Sequence, residues 1–492
     1  MSATTGLAGR EEAVLRGVPT GLFIGGQWRA AADGREFDIE DPSTQEVIAR
    51  VADATAEDGR AALDAAVAVQ EPWAATPPRD RGEILRRAFE MIMSRVDDLA
   101  LLMTLEMGKP VKESRGEIAY AAEFFRWFSE EAVRINGRFT VAPNGASRLL
   151  TMKQPVGPCL FITPWNFPMA MGTRKIGPAV AAGCTIVIKP ASQTPLTMLA
   201  LAGILTEAGL PGGVLNVITT RRTSAVIEPL IRDPRLRKLS FTGSTDTGRM
   251  LAEQASQQLL RVSMELGGNA PFLIFEDADL DSAVQGAMLA KMRNMGEACV
   301  AANRFLVHES VAEEFGRRLA QRMSSLVVGR GTEDGVDVGP LIDSTQRSKV
   351  EDLVEDALAG GAKVLTGGEP VGGRGYFFTP TVMSGVPAAS RMASEEIFGP
   401  VAPVTTFSTE QEALRMANDT EFGLIAYLFT RDLTRAITVS ERLQTGMVGL
   451  NSGLISNAAA PFGGVKHSGY GREGGAEGIE EYLETKYIGI GL

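Results

Sequence analysis

The sequence predicts an α/β protein built from two doubly wound α/β domains with parallel-sheet cores, plus a projecting β-hairpin. Three observations carry that expectation. Residues 158–275 alternate short apolar strand runs with helical stretches, and a second series of the same kind starts after residue 300. Ahead of them, GRFTVAPNGASRLLTMKQPVG (137–157) reads as two strands about a Pro143-Asn144-Gly145 turn. At 492 residues the chain is also too long for one core and should divide into units of roughly 100–200 residues.

Taken in order, residues 1–20 are expected to form a loosely held arm. Thr55 and Asp58 then form a capping box ahead of an alanine-rich helix. After Pro77-Pro78 a second helical stretch places Leu85, Ala88, Ile92, Leu99 and Leu102 near helical spacing, and Phe124, Phe125 and Phe128 continue the pattern on a third. The first series supplies strands at Cys159–Thr163, Thr185–Ile188, Val214–Ile218, Leu239–Thr242 and Phe272–Phe275. The second supplies RFLVHES, a helix near 311–325, and strands in KVLTGG, GYFFTPTVM and VAPVTTF. A projecting hairpin needs a cover. A partner subunit would provide one, and the C-terminal KYIGIGL strand can join the same sheet, so a homodimer or homotetramer is expected. The crevice between the two α/β units is the natural active site.

A formal net charge of −11 and a pI near 5.1 argue against a nucleic-acid or anionic-membrane surface. No run approaches the roughly 20 apolar residues of a membrane span, and the N-terminus, with Glu11 and Glu12, has no apolar core of a targeting peptide. Cys159, Cys184 and Cys299 lack paired spacing, which fits free thiols in a reducing compartment and a cytoplasmic location. Cys159 and Cys184 lie in apolar strands and are assigned to the core. His308 and His467 are too few for a His-rich metal site, so no metal is expected.

Three segments carry the chemistry. LSFTGSTDTG (239–248) runs from strand through a glycine turn to a helix, where N–H groups near Gly243 and Ser244 can bind phosphate or the glycine can serve geometry alone. It lacks the G-x-G-x-x-G fingerprint of an ordinary dinucleotide fold. In VSMELGGNAP (262–271) Glu265 ends a strand, as a general base or a solvated cap would. In KMRNMGEACVAANR (291–304) Cys299 sits among small and cationic residues. It is either an inert buried thiol or a nucleophile whose thiolate is stabilised by a helix terminus or a nearby charge.

Seven motifs in order resemble the aldehyde dehydrogenase superfamily over nearly the whole chain: FITPWNFP (161–168), IKPASQTP (188–195), FTGSTDTG (241–248), MELGGNAP (264–271), GEACVAANR (296–304), EEIFGPV (395–401) and PFGGVKHSGYGREGG (461–475). The resemblance implies an NAD(P)-binding domain from 21–136 and 158–270, a catalytic domain at 271–450, and oligomerisation strands at 137–157 and 478–492. It implies Cys299 as nucleophile, Asn166 with the Cys299 N–H as oxyanion donors, and Glu265 as the base that activates water. Cofactor contacts would come from Trp165, Lys189, Ser192, Gly243, Ser244, Glu396 and Phe398. Ser192 stands where an acidic residue would repel a 2′-phosphate, so NADP, or both NADP and NAD, is expected. Arg174, Arg293 and Ser456 resemble the succinate-semialdehyde branch and would clamp a substrate carboxylate. Glutarate semialdehyde or an uncharged aldehyde is the rival substrate. Ala301 replaces a second cysteine found in many semialdehyde members, which removes one form of disulfide switch, and Glu297 stands where glutamine is common.

Overall fold

A computed structural model describes residues 2–491, so Met1 and Leu492, the ends of the expected arm and C-terminal strand, lie outside the described residues. The segment read as a loose arm holds a helix, Ser2–Arg16. Val14, Leu15 and Val18 pack on the first core and Arg10 pairs with Asp98 at 3.0 Å. That apolar edge is too short to establish a period, which is why the sequence does not announce it.

The capping box forms as read: the Thr55 hydroxyl accepts the Asp58 N–H, and the Asp58 carboxylate accepts the Thr55 N–H. The second helical stretch breaks at Arg95 into Pro78–Ser94 and Val96–Met107. The third is Val111–Glu131, with Phe124, Phe125 and Phe128 fully buried. It packs on Ala170–Ala182, a helix buried along its whole length. A helix without a solvent face is held by packing on every side, each buried aliphatic side chain contributing roughly 1.5–3 kcal/mol.

The first sheet has eight strands, and its five central ones are parallel: Leu215–Val217, Ile186–Lys189, Cys159–Ile162, Lys238–Thr242 and Arg261–Glu265. Leu22–Ile24 and Gln27–Arg29 close one edge and Gly469–Tyr470 the other, all antiparallel. The second sheet runs Lys363–Thr366, Thr381–Ser384, Val401–Phe407, Ala302–His308, Ala270–Ile274, Ile425–Phe429, Met447–Leu450, parallel except at its first strand. The strand expected at 272–275 therefore belongs to this second sheet, between Ala302–His308 and Ile425–Phe429. Apolar clusters line both faces of each sheet, as doubly wound units require.

The hairpin strands Arg138–Val141 and Ser147–Pro155 form a third sheet, and Leu483–Gly491 adds to it in register from Leu483 opposite Pro155 to Gly491 opposite Ser147. Phe139 and Tyr487 on it are 64% and 60% exposed. No helix among the described residues is long and apolar enough to cross a membrane.

Candidate active site

The carboxyl ends of four neighbouring parallel strands of the first sheet converge on the crevice. Ile186–Lys189 delivers Lys189, Cys159–Ile162 leads to Trp165 and Asn166, Lys238–Thr242 leads to Gly243, and Arg261–Glu265 ends on Glu265. Strand ends of this kind are where open α/β sheets bind ligands, because loops leave there and helices begin.

The second domain contributes Cys299 through a bent connector. The Leu280–Met292 helix stops before Arg293, and Asn294 and Met295 both adopt left-handed backbone at φ 55°. Such residues cost about 1–3 kcal/mol each and persist only when neighbours hold them. Here the Asn294 N–H donates to Glu113 Oε2 (2.6 Å), and its side-chain amide donates to the carbonyls of Asn166 (3.0 Å) and Glu297 (2.8 Å). Beneath Cys299, a Cβ on Gly268 would stand 2.5 Å from the Cys299 carbonyl oxygen, so only glycine lets the two domains approach this closely.

Around the thiol the electrostatics run against early ionisation. Burial pushes Cys299 up to about 12; the Arg174 cation pulls it back, while Glu396 and Glu265 push it further. Of the two readings of Cys299, the stabilised thiolate gains no net support from these charges, because burial and two carboxylates outweigh Arg174 and Arg293. Glu265 is buried with both oxygens unpartnered, and burial, then the neighbouring Glu473, raise its carboxyl well above the ordinary range. Only the ionised form can accept a proton, and this environment disfavours that form. Glu473 is itself held below its usual value, against burial, by Lys175 and Arg174. Lys175 Nζ donates to Glu473 Oε1 (2.6 Å) and to the Ser240 hydroxyl (2.9 Å).

Asn166 donates through Nδ2 to the Glu297 carbonyl at 3.0 Å, while its Oδ1 has no partner. Among the described residues the Cys299 N–H meets no acceptor. The Glu297 carbonyl thus bonds Asn166 two residues before Cys299. Glu297 is fully buried, takes the Ile342 N–H at 3.1 Å, and is driven by burial well above the carboxylate range. That favours a neutral carboxyl of nearly the same shape as glutamine.

On the cofactor side, burial alone lowers Lys189 to about 8. Ser192 follows in the next loop, its hydroxyl 3.3 Å from Gln193 Oε1. Ser244 is the N-cap of the Thr245–Ser256 helix, but its hydroxyl turns to Thr247 Oγ1 (2.9 Å) and caps no N–H. The first-turn amides are thus left without a side-chain cap. The Gly243 N–H donates to the Glu265 carbonyl (3.1 Å), tying this turn to the base. Glu396 accepts the Gly268 N–H at 3.1 Å and is raised by burial to about 7. Trp165 and Phe398 meet edge to face, 5.3 Å between centroids, with Phe398 at φ 54°.

A cavity of about 450 Å³ is lined by Phe167, Met292, Arg293, Leu454, Ser456 and Tyr120, among others. The Arg293 guanidinium rests over the Phe167 ring at 4.9 Å and the Tyr120 ring at 5.6 Å. The structure brings Arg293 and Ser456 together but not Arg174 with them. Arg174 lies outside that lining: it is 2% exposed, pairs with Glu473 at 2.7 Å and stacks 3.9 Å over Phe462, and its charge acts on Tyr120, Glu265 and Cys299.

Several site residues escape sequence reasoning. Lys109 bonds Glu117 (2.6 Å) and the Asn166 carbonyl (2.7 Å), both side chains being 1% exposed. Glu117 also accepts the N–H groups of Met169 and Ala170, where the Arg174 helix begins. The signal was present: Glu113, Glu117 and Tyr120 recur at helical spacing, and Glu117 shares the face of buried Phe124 and Phe128. A carboxylate on an apolar stripe needs a partner.

The chain belongs to the aldehyde dehydrogenase family, whose model matches residues 28–488. It is 60% identical to a succinate-semialdehyde dehydrogenase of Paenarthrobacter nicotinovorans over 90% of this chain and 99% of that one. It is 49% identical to a glutarate-semialdehyde dehydrogenase of Pseudomonas putida, covering 96% and 97%. A crystal structure of an NADP-dependent enzyme of E. coli superposes with a TM-score of 0.95 at 50% identity, covering 96% and 98%.

Proposed function

We propose that this chain oxidises succinate semialdehyde to succinate, with NADP as the preferred oxidant and NAD as the alternative. The observation that carries the substrate is the cavity lined by Ser456 and by Arg293, which rests on two aromatic faces six residues before Cys299 in a pinned loop. The 60% identical relative supports it. The cleft also fits a nicotinamide dinucleotide. Lys189 and Glu396 stand ready for ribose hydroxyls, and the uncapped turn at Gly243 and Ser244 for the pyrophosphate beside Trp165, with Phe398 at the nicotinamide. Ser192 places no acidic charge beside Lys189, which suits a 2′-phosphate.

When bound, the nicotinamide supplies the hydride acceptor. Cys299 loses its thiol proton to solvent, its Sγ attacks the aldehyde carbon, and the C–S bond forms as the carbonyl electrons move to oxygen. Asn166 Nδ2 and the Cys299 N–H hold that oxyanion, each donor being worth roughly 100- to 1,000-fold in turnover. Oxidation of the adduct leaves a thioester on Cys299. Glu265 takes a proton from water, the hydroxide adds to the thioester carbon, and the C–S bond breaks to release the acid.

Initial rates with four- and five-carbon ω-oxo acids and with butanal, each with NADP and NAD, test the reading. A charge-assisted hydrogen bond is worth about 1.5–3 kcal/mol, so the four-carbon oxo acid should exceed butanal in kcat/KM by at least about tenfold. Equal values would overturn the carboxylate reading. Glutarate semialdehyde is the second reading, favoured by the 49% identical relative. The exposed apolar strands at Phe139 and Tyr487 support a homo-oligomer, and the three free cysteines a cytoplasmic setting.

A further inference from the structure

Glu297 stands two residues before Cys299, and its polar groups reach three parts of the site. Its N–H donates to the Asn294 carbonyl at 2.8 Å. Its carbonyl accepts the Nδ2 groups of Asn166 (3.0 Å) and Asn294 (2.8 Å). Its side chain, 0% exposed, takes the Ile342 N–H on Oε1 at 3.1 Å, while Oε2 bonds nothing among the described residues. Ile342 directly precedes Asp343, the N-cap of the Ser344–Ala359 helix, which accepts the Gln346 N–H at 2.9 Å. Gln346 Nε2 in turn donates to the carbonyls of Phe398 (2.7 Å) and Ile397 (3.3 Å). Hydrogen bonds and short covalent links thus run from the Asn166 amide, through Glu297 and the head of this helix, to the Phe398–Trp165 pair in the cofactor cleft.

We propose that Glu297 is a positioning residue that works as a neutral carboxyl, bracing the Cys299 loop against the segment that holds Phe398 in the cofactor cleft. The inference deepens the proposed oxidation and rests on reading that cleft as a dinucleotide site. An ionised carboxylate at this position would have a single N–H donor and no contact with solvent, a costly state for a buried charge. Of the charged groups on neighbouring segments, Lys109 favours ionisation and Asp343 opposes it, and Lys109 is already paired with Glu117 at 2.6 Å. The neutral carboxyl keeps the Ile342 bond and adds no like charge beside Asp343.

The test compares Glu297→Gln and Glu297→Met with the wild-type enzyme. Denaturant titrations are run from about pH 5 to about pH 8, above the ordinary glutamate range. A glutamate in the unfolded chain ionises at about 4.3, whereas the folded Glu297 stays protonated, so the wild type takes up a proton on folding. Its stability therefore falls with rising pH relative to Glu297→Gln, the ratio of folding constants growing by up to about tenfold per pH unit. Stability curves that run parallel would mean an ionised carboxylate and overturn the proposal. The second readout is NADP KM against aldehyde KM. Glu297→Gln keeps an acceptor for the Ile342 N–H and should hold both near wild type. Glu297→Met removes it, and one hydrogen bond is worth about two- to twelvefold, so NADP KM should rise about threefold or more while aldehyde KM stays within about twofold. Equal NADP KM in the two variants, or both KM values rising together, would overturn the brace. If Glu297→Met fails to fold, Glu297→Leu removes the same acceptor. Should the wild type oxidise no aldehyde, the functional reading falls alone, because NADPH fluorescence titration gives the same cofactor comparison without turnover.

Discussion

Replacing Asn166 by alanine separates catalysis from stability because the side chain is nearly redundant in the resting fold. It is 4% exposed, yet its only side-chain bond goes from Nδ2 to the Glu297 carbonyl, and Oδ1 bonds nothing. The Glu297 carbonyl keeps its second donor, Asn294 Nδ2, at 2.8 Å after the change. The Asn166 backbone carbonyl keeps Lys109 and Asn294. One net hydrogen bond of about 0.5–1.5 kcal/mol is lost, and relief of the unpaired buried oxygen offsets it, so stability should move by about 1 kcal/mol or less. The transition state has no such redundancy. Loss of one oxyanion donor should cost about 2.7–4 kcal/mol, a fall in kcat of roughly 100- to 1,000-fold. NADPH absorbance at saturating substrate gives kcat, and a denaturant titration gives stability. Turnover within about tenfold of wild type would refute the oxyanion role. So would a stability loss large enough to explain the rate.

Two further outcomes follow from buried charges. Glu265 is shifted upward by burial and by Glu473, and it works as a base only when ionised, so its ionised fraction and the thioester-hydrolysis rate should climb with pH. Glu265→Gln should abolish that limb and trap the thioester, seen as one burst of NADPH without turnover; an unaltered pH profile would contradict it. Lys109→Met should destabilise the fold by about 3–5 kcal/mol, since it strands Glu117 in the interior, and Glu117→Gln added to it should recover part of the loss. Chemical denaturation of the single and double variants reads both effects.

The strand ends that carry Lys189, Gly243 and Glu265 were legible because a parallel strand is a contiguous apolar run, and its end shows locally. The hairpin was legible from its Pro143-Asn144-Gly145 turn, and the C-terminal strand from its KYIGIGL run. What stayed hidden depends on pairings across hundreds of residues. Arg174 gains a buried partner in Glu473 at 2.7 Å, and no local pattern joins two positions so far apart. Which of the two readings holds for Cys299 likewise depends on groups far away in the chain, since Arg174, Glu396 and Glu265 all act on its thiol. Glu117 stayed hidden because three phenylalanines dominate the Val111–Glu131 helix, although it shares their face, and Lys109 because it precedes that helix.

The seam beneath Cys299 bears on how such a chain can be divided. Asn294 arrives with the second sheet's domain, yet its unusual backbone is held by Glu113 and Asn166 from the first. Gly268 threads under the thiol between the last strand of one sheet and a central strand of the other. A cut after Glu265 would leave one fragment with the base and the oxyanion amide, and another with a cysteine on an unsupported bend. Neither fragment would inherit a reduced version of the reaction. Recombination between distant relatives therefore has to preserve matching residues on both sides of this seam, however well each half folds.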